Sequence, residues 1–253
     1  MASSSPSIVF YDIPSVLPIN CWSPNTWKTR FALNFKGLSY RTEWIEYPDI
    51  EALCKKMNAP PTRNKPDGRP HYTLPLIHDL STGAIVVESS KIVAYLDETY
   101  PETPRLLPPG TLGLFAAFED AAMALMPALA LFVVPSVPRV LNPASQPYFH
   151  TTRSALFGGK PLSEVTPTGD AYAPAWQKVQ DSFFGKIDSW IQANGEGSAY
   201  IMGDAMSYAD LWVASYVIWF KLVLPEKWDE AKTWHGGRWE KLLEDTKKYQ
   251  AIL

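Results

Sequence analysis

Cysteine is scarce in this chain. Only Cys21 and Cys54 occur among 253 residues, too few for a disulfide framework, which points to a reducing, cytoplasmic setting. Charge of either sign is thin as well. The 23 Lys and Arg against 26 Asp and Glu leave a net charge of −3. No basic stripe is present to hold a polyanion, so no nucleic-acid partner is expected. Long apolar runs are missing too. The longest, Ala121 to Val134, is interrupted by Pro127; it is too short to span a bilayer and reads as a buried helix, with no membrane role. The amino-terminal Met1-Ala-Ser-Ser-Ser-Pro-Ser7 shows neither the basic start nor the apolar run of a secretion leader.

What is present is an ordinary globular composition, 46% hydrophobic and 19% charged, with a surplus of aromatic rings that includes ten Trp. Ile8-Val-Phe-Tyr11 is a short strand-prone run. Ser23-Pro24 opens a helix, with Ser at the cap and Pro at the first helical position. Trp27, Phe31 and Phe35 give that helix an apolar stripe, and Gly37 ends it. Tyr40 to Ile45 alternates as a strand does, and a short helix is expected near Ile50 to Met57. Leu74 to His78 and Ala84 to Glu88 are strands around a polar turn at Asp79 to Gly83. Ser89 or Ser90 then caps a helix that buries Ile92, Val93 and Leu96. The order β-α-β, then β-β-α, builds a small mixed sheet in an α/β layer arrangement.

Past Tyr100 the character changes. Pro101, Pro104, Pro108 and Pro109 form a stiff linker, and no strand signal follows. Leu112 to Val134 and Ala173 to Asn194 read as long helices. Ser207-Tyr-Ala-Asp210 has the form of a capping box. The division expected is residues 1–104 for the α/β domain and 105–253 for an all-α helical domain.

In this order, four residue sets resemble the soluble glutathione transferases. They are the Ser23-Pro24 helix start, Thr73-Leu-Pro-Leu-Ile77, Glu88-Ser89 with Ile92-Val-Ala-Tyr-Leu96, and Gly203-Asp-Ala-Met-Ser-Tyr-Ala-Asp210. Together they span roughly residues 8 to 220. Ser23-Pro-Asn-Thr-Trp-Lys28, Lys36-Gly37 and Tyr95-Leu-Asp-Glu-Thr-Tyr-Pro101 are similar, more narrowly, to the etherase-related branch that includes the fungal FuA class. The Pro-rich loop from Ala59 to Tyr72 fits that class as well.

The resemblance implies a thioredoxin-like N-terminal domain holding glutathione as co-substrate, no metal, an all-helical domain holding an apolar aromatic co-substrate, and a homodimer. It also implies roles. Ser23 activates the glutathione sulfur, with Asn25 as a second donor; Leu74, before a cis Pro75, pairs with the cysteinyl backbone; Glu88 and Ser89 clamp the γ-glutamyl end. A free thiol is mostly protonated at neutral pH, and a hydroxyl donor at a helix N-terminus favours the thiolate. Ser23 could accept a bond from the first-turn N–H groups and still donate its own proton.

Each motif has a plain structural reading as well: Ser23-Pro24 as a cap, Pro75 as a turn, Glu88-Ser89 as a strand end. Cys21 is a rival nucleophile, two residues upstream of the helix start, and Cys54 reads as a structural thiol. Arg63, Lys65 and His71 are candidate partners for the glycine carboxylate. Trp27 fills core or flanks the ligand. Phe115, Phe118, Met123 and Met126 either line the aromatic site or fill core. The activity implied is attack on aromatic electrophiles, with etherase-like cleavage of aryl ethers. The alternative is a ligandin that carries wood-derived aromatics.

Overall fold

The computed structural model describes residues 7–65 and 67–253; residues 1–6, most of the segment read above for a leader, lie outside the described residues. The chain divides into two units. One runs up to Leu106 and takes in two distant pieces, Asn142–Ser145 and Lys248–Leu253. The other comprises Leu107–Leu141 and Gln146–Lys247.

The first unit is built on a four-stranded sheet. Its strands are β1 (Ile8–Asp12), β2 (Tyr40–Trp44), β5 (Leu76–Asp79) and β6 (Ile85–Val87), in spatial order β2-β1-β5-β6. β1 and β2 run parallel, and the crossover is helix α1 (Pro24–Lys36). β5 is antiparallel to both β1 and β6. Helix α2 (Ile50–Lys56) follows β2. The loop beyond it carries a small ladder not expected from the sequence: β3 (Arg63–Asn64) pairs with β4 (Pro70–His71). Helix α3 (Ser89–Thr99) packs back beside α1, tied by Lys36 Nζ to Asp97 Oδ1 at 2.8 Å. Asp97 also accepts the Leu106 N–H, so one buried carboxylate ends the unit.

Two pieces expected in the helical domain fold with this sheet instead. Ser145 Oγ accepts the Tyr47 N–H at 2.9 Å, and Asn142 Nδ2 reaches Glu46 at 2.7 Å. The carboxy-terminal tail lies along α1 and β2: Asn34 Nδ2 donates to the carbonyls of Tyr249 and Ala251, and the Thr42 N–H donates to the Leu253 carbonyl. These bonds join polar side chains and backbone groups far apart in the chain, and no hydrophobic period announces them.

In the second unit the expected helix from Leu112 to Val134 is two helices, α4 (Leu112–Met123) and α5 (Met126–Ser136), bent by 66°. Pro127, at the start of α5, has no N–H to offer, and its ring crowds the carbonyl four residues back, so a new helix starts there. Pro135 sits inside α5 and removes the donor that the Leu131 carbonyl would otherwise receive. The Thr166 hydroxyl takes its place at 2.9 Å.

α6 (Gln146–Ser154) follows. The expected helix at 173–194 is α7 (Tyr172–Val179), one π turn at Gln180–Phe184, and α8 (Gly185–Gln192). Gly185 eases that turn, because a Cβ there would crowd the Gln180 carbonyl oxygen at 3.0 Å. α9 (Tyr208–Val223) is buried at every residue except Lys221 and Leu222, as befits a helix that is apolar all round. Its capping box forms: the Ser207 N–H donates to Asp210 at 2.8 Å, and Ser207 Oγ accepts the Ala209 N–H. α10 (Pro225–Ala231) and α11 (Trp234–Asp245) close the unit. No single helix among the described residues is long and apolar enough to cross a membrane.

Candidate active site

The register of the sheet decides which residues meet. Leu76 pairs with Tyr11 on one side and with Val87 on the other. The carboxyl end of β1, the amino end of β5 and the carboxyl end of β6 therefore lie together. The residues just beyond each of these ends are the loop to Ser23, the Leu74–Pro75 pair, and Glu88 with Ser89. The first turns of α1 and α3 thus open at the same end of the sheet.

Ser23 caps α1 in extended conformation (φ −69°, ψ 130°) and is 3% exposed. Its hydroxyl makes no capping hydrogen bond, contrary to the expectation that it would accept from the first turn. The carbonyl does the structural work instead, accepting the Trp27 N–H at 3.0 Å and the Thr26 hydroxyl at 3.1 Å. The Ser23 Oγ–H is left to donate elsewhere. Asn25 is exposed, and its Oδ1 accepts Lys28 Nζ at 3.1 Å. That bond commits the oxygen end of the amide and leaves the NH2 end as the outward donor. Lys28 itself is 3% exposed.

Beneath this loop lies an ion pair with no solvent access on either side chain: Arg30 to Asp12 at 2.8 Å. Arg30 also reaches the Tyr40 and Thr42 hydroxyls at 3.3 Å and is ringed by Phe10, Trp27, Tyr40 and Trp44. Asp12 also accepts the Ile13 N–H at 2.6 Å. Burial pushes the Asp12 carboxyl up from its ordinary range. Burial works most strongly against the Arg30 charge, but Asp12, Tyr40 and Cys21 together offset it and hold the guanidinium above its usual value.

The Leu74–Pro75 bond is cis, and the pair immediately precedes the first ladder residue of β5. Glu88 stands in the positive-φ region (φ 70°, ψ 127°), a conformation that side chains rarely adopt. Such strain persists only where the surroundings impose it, and it gathers at ligand sites. Glu88 Oε1 meets Lys91 Nζ at 2.6 Å, and Ser89 is buried at the start of α3. Of the basic candidates on the β3–β4 loop, Lys65 lies 3.5 Å from Glu51, and Arg63 opposes His71 across the ladder.

Cys21 is fully buried, and burial pushes its thiol up to about 12. It stays protonated and shielded at neutral pH, which weighs against it as the nucleophile. Iodoacetamide at pH 7.5 should leave Cys21 unmodified over hours in the native protein while denatured chain reacts at both cysteines; peptide mass mapping would show it. Trp27 is 1% exposed and belongs to the core. Phe115 and Phe118 are spent on packing too: Phe115 faces Tyr208 at 5.0 Å, and Phe118 lies edge-on to Trp190 and Trp212. Met123 is 45% exposed, and its sulfur accepts the Tyr216 hydroxyl.

A thioredoxin-like sheet with a Ser-Pro helix start and a cis proline before β5, continued by an all-helical unit, defines the class of two-domain proteins with a thioredoxin-like and a helical part. Comparison with known proteins narrows it. Residues 22–99 match the glutathione S-transferase N-terminal domain, and residues 113–249 match the glutathione S-transferase C-terminal domain. The chain belongs to the glutathione S-transferase family.

It is 45% identical to the glutathione S-transferase CsGST63524 of Ceriporiopsis subvermispora, solved in complex with glutathione, with a TM-score of 0.93 covering 98% of this chain and 99% of that one. To glutathione transferase GSTFuA3 from Phanerochaete chrysosporium it is 44% identical, with a TM-score of 0.91 and coverage of 99% and 100%. The glutathione S-transferase-like protein ustS of Aspergillus flavus is 31% identical over 245 residues, 92% of this chain and 87% of that protein. The likeness to the fungal FuA class expected from the sequence holds.

Proposed function

We propose that this transferase binds glutathione at the sheet end that gathers Ser23, Leu74, Pro75, Glu88 and Ser89. There it uses the Ser23 hydroxyl, seconded by Asn25, to hold the sulfur as thiolate for attack on hydrophobic aromatic electrophiles. The observation that carries the reading is a buried serine hydroxyl at a helix N-terminus, unspent on its own cap. Donation from that hydroxyl and the positive end of α1 both stabilise negative sulfur. The thiol proton leaves, the sulfur forms a bond to the electrophilic carbon, and the carbon's bond to its leaving group breaks. An aryloxide departs in the etherase-like case. Glutathione conjugation assays with aryl halides and β-aryl ethers test this. Micromolar binding of aromatics with negligible turnover would favour a carrier instead.

Glu88 supplies the carboxylate for the ligand's ammonium, and Ser89 with the α3 N-terminus faces its carboxylate. Glu88→Gly should raise the glutathione Kd about tenfold, the scale of a lost charge-assisted bond. The thermal midpoint should not fall, since glycine accepts φ 70° without cost. Titration calorimetry beside a melting curve checks both halves. A second copy of the chain is proposed to cover the exposed α4 face at Leu114, Ala117 and Ala121; sedimentation would report a dimer.

A further inference from the structure

Pro24, Thr26 and Trp27 are buried, and Asn25 is the exposed side chain of the first turn of α1, a turn with no acidic residue. An asparagine amide presents either an acceptor or two donors, and a half-turn of the group exchanges them. Only the donor face suits an anion at a helix N-terminus; the other sets oxygen lone pairs against it. Water by itself does not choose between the two.

Lys28 does. It follows Asn25 by three residues, on the same side of the helix, and its Nζ donates to Asn25 Oδ1 at 3.1 Å. An ammonium has three donors and no acceptor, so it can hold the amide by the oxygen alone. A neutral partner that both donates and accepts would leave either orientation open. Lys28 is also 3% exposed. Burial confines a side chain whose rotamer freedom is otherwise among the largest, so the bond is held ready instead of being assembled from solvent. The charge draws electrons from the Asn25 carbonyl and makes its N–H groups better donors.

We propose that Lys28 is a positioning residue: it turns the Asn25 amide so that the NH2 faces the glutathione sulfur. The proposal rests on the reading above, in which Asn25 seconds Ser23. Lys28 acts through Asn25 and donates nothing to the sulfur itself.

The test titrates bound glutathione in the full chain by ultraviolet thiolate absorbance. Lys28→Met should raise the thiol midpoint by about 0.7 of a unit, about a fivefold loss of thiolate and the scale of ordering one side chain afresh. Lys28→Gln, which keeps the reach but can also accept, should do the same, and serves where Met disturbs packing. In an Asn25→Ala background Lys28→Met should shift the midpoint no further. Asn25→Asp separates orientation from simple bracing. It keeps the contact as an ion pair and puts a carboxylate where the helix end favours one, so the melting midpoint should not fall. It also removes the donor, so the thiol midpoint should rise by at least about one unit. At about pH 5.5, where the thiol is protonated in every variant, the glutathione Kd should stay within about twofold.

An unchanged midpoint in both Lys28→Met and Lys28→Gln overturns the role given to Lys28; a lowered native midpoint that Ser23→Ala abolishes would then leave the serine reading standing. An equal shift from Lys28→Met with and without Asn25 overturns it too, as does an unchanged midpoint in Asn25→Asp. A native protein whose bound thiol titrates as free glutathione removes both readings.

Discussion

Replacing Ser23 by alanine is expected to lower kcat/KM for conjugation by about a hundredfold while the glutathione Kd moves by no more than about threefold. The first figure is the usual cost of removing one donor aimed at developing negative charge. The second follows from where the tripeptide is held. In the proposed binding mode Leu74, Glu88 and Ser89 grip backbone and termini, and the Ser23→Ala change would leave them alone. The Ser23 side chain is also spent on no cap: the structural bonds at this position run through its carbonyl, to Trp27 and Thr26. Alanine keeps that carbonyl, so the loss should fall on kcat rather than on folding. Steady-state kinetics with a saturating aryl electrophile would separate the two. A variant that loses binding and turnover equally would place Ser23 in the clamp rather than at the sulfur.

Arg30→Met should cost about 3–5 kcal/mol of stability, because it strands a buried carboxylate. Neither side chain of the pair has any solvent exposure, so water cannot take over from Arg30. Four aromatic rings around the guanidinium close off relaxation. Asp12 would answer by protonating, a course that burial already favours. The double variant with Asp12→Leu should lose less than Arg30→Met alone, since no charge remains uncompensated. Denaturant melts followed in the sheet unit would measure both. Arg30 lies on α1, the helix that Ser23 caps, so the single variant should also blunt turnover at temperatures where it stays folded. Equal stability of the single variant and wild type would refute the view that this pair is fully desolvated.

Much of the sheet unit is legible in the sequence because its signals are local. Ser23-Pro24 and Gly37 bracket α1, and the apolar runs Leu74 to His78 and Ala84 to Glu88 flank a polar turn. The helical unit is harder. Leu112 to Val134 is apolar enough to read as one helix, and only the geometry of Pro127 shows that α5 begins anew. The Asn142–Ser145 and Lys248–Leu253 segments join the sheet through side-chain bonds to distant backbone, which no periodicity reports.

At the site, residue types are visible but states are not. The positive φ of Glu88, the unspent hydroxyl of Ser23 and the full burial of Cys21 depend on tertiary packing. Arg30 shows the same limit. As a charged residue on a helix it reads as surface, yet Asp12, 18 residues earlier, draws it into the core.

The most direct measurement is a pH titration of the thiol of bound glutathione, followed by ultraviolet thiolate absorbance, in the native protein and in Ser23→Ala. If the serine hydroxyl holds the sulfur as thiolate, the native midpoint lies at least about one unit below the roughly 8.5 of a free thiol, and the variant's returns toward that value. A bound thiol that titrates like free glutathione in the native protein, or identically in the two proteins, would contradict it.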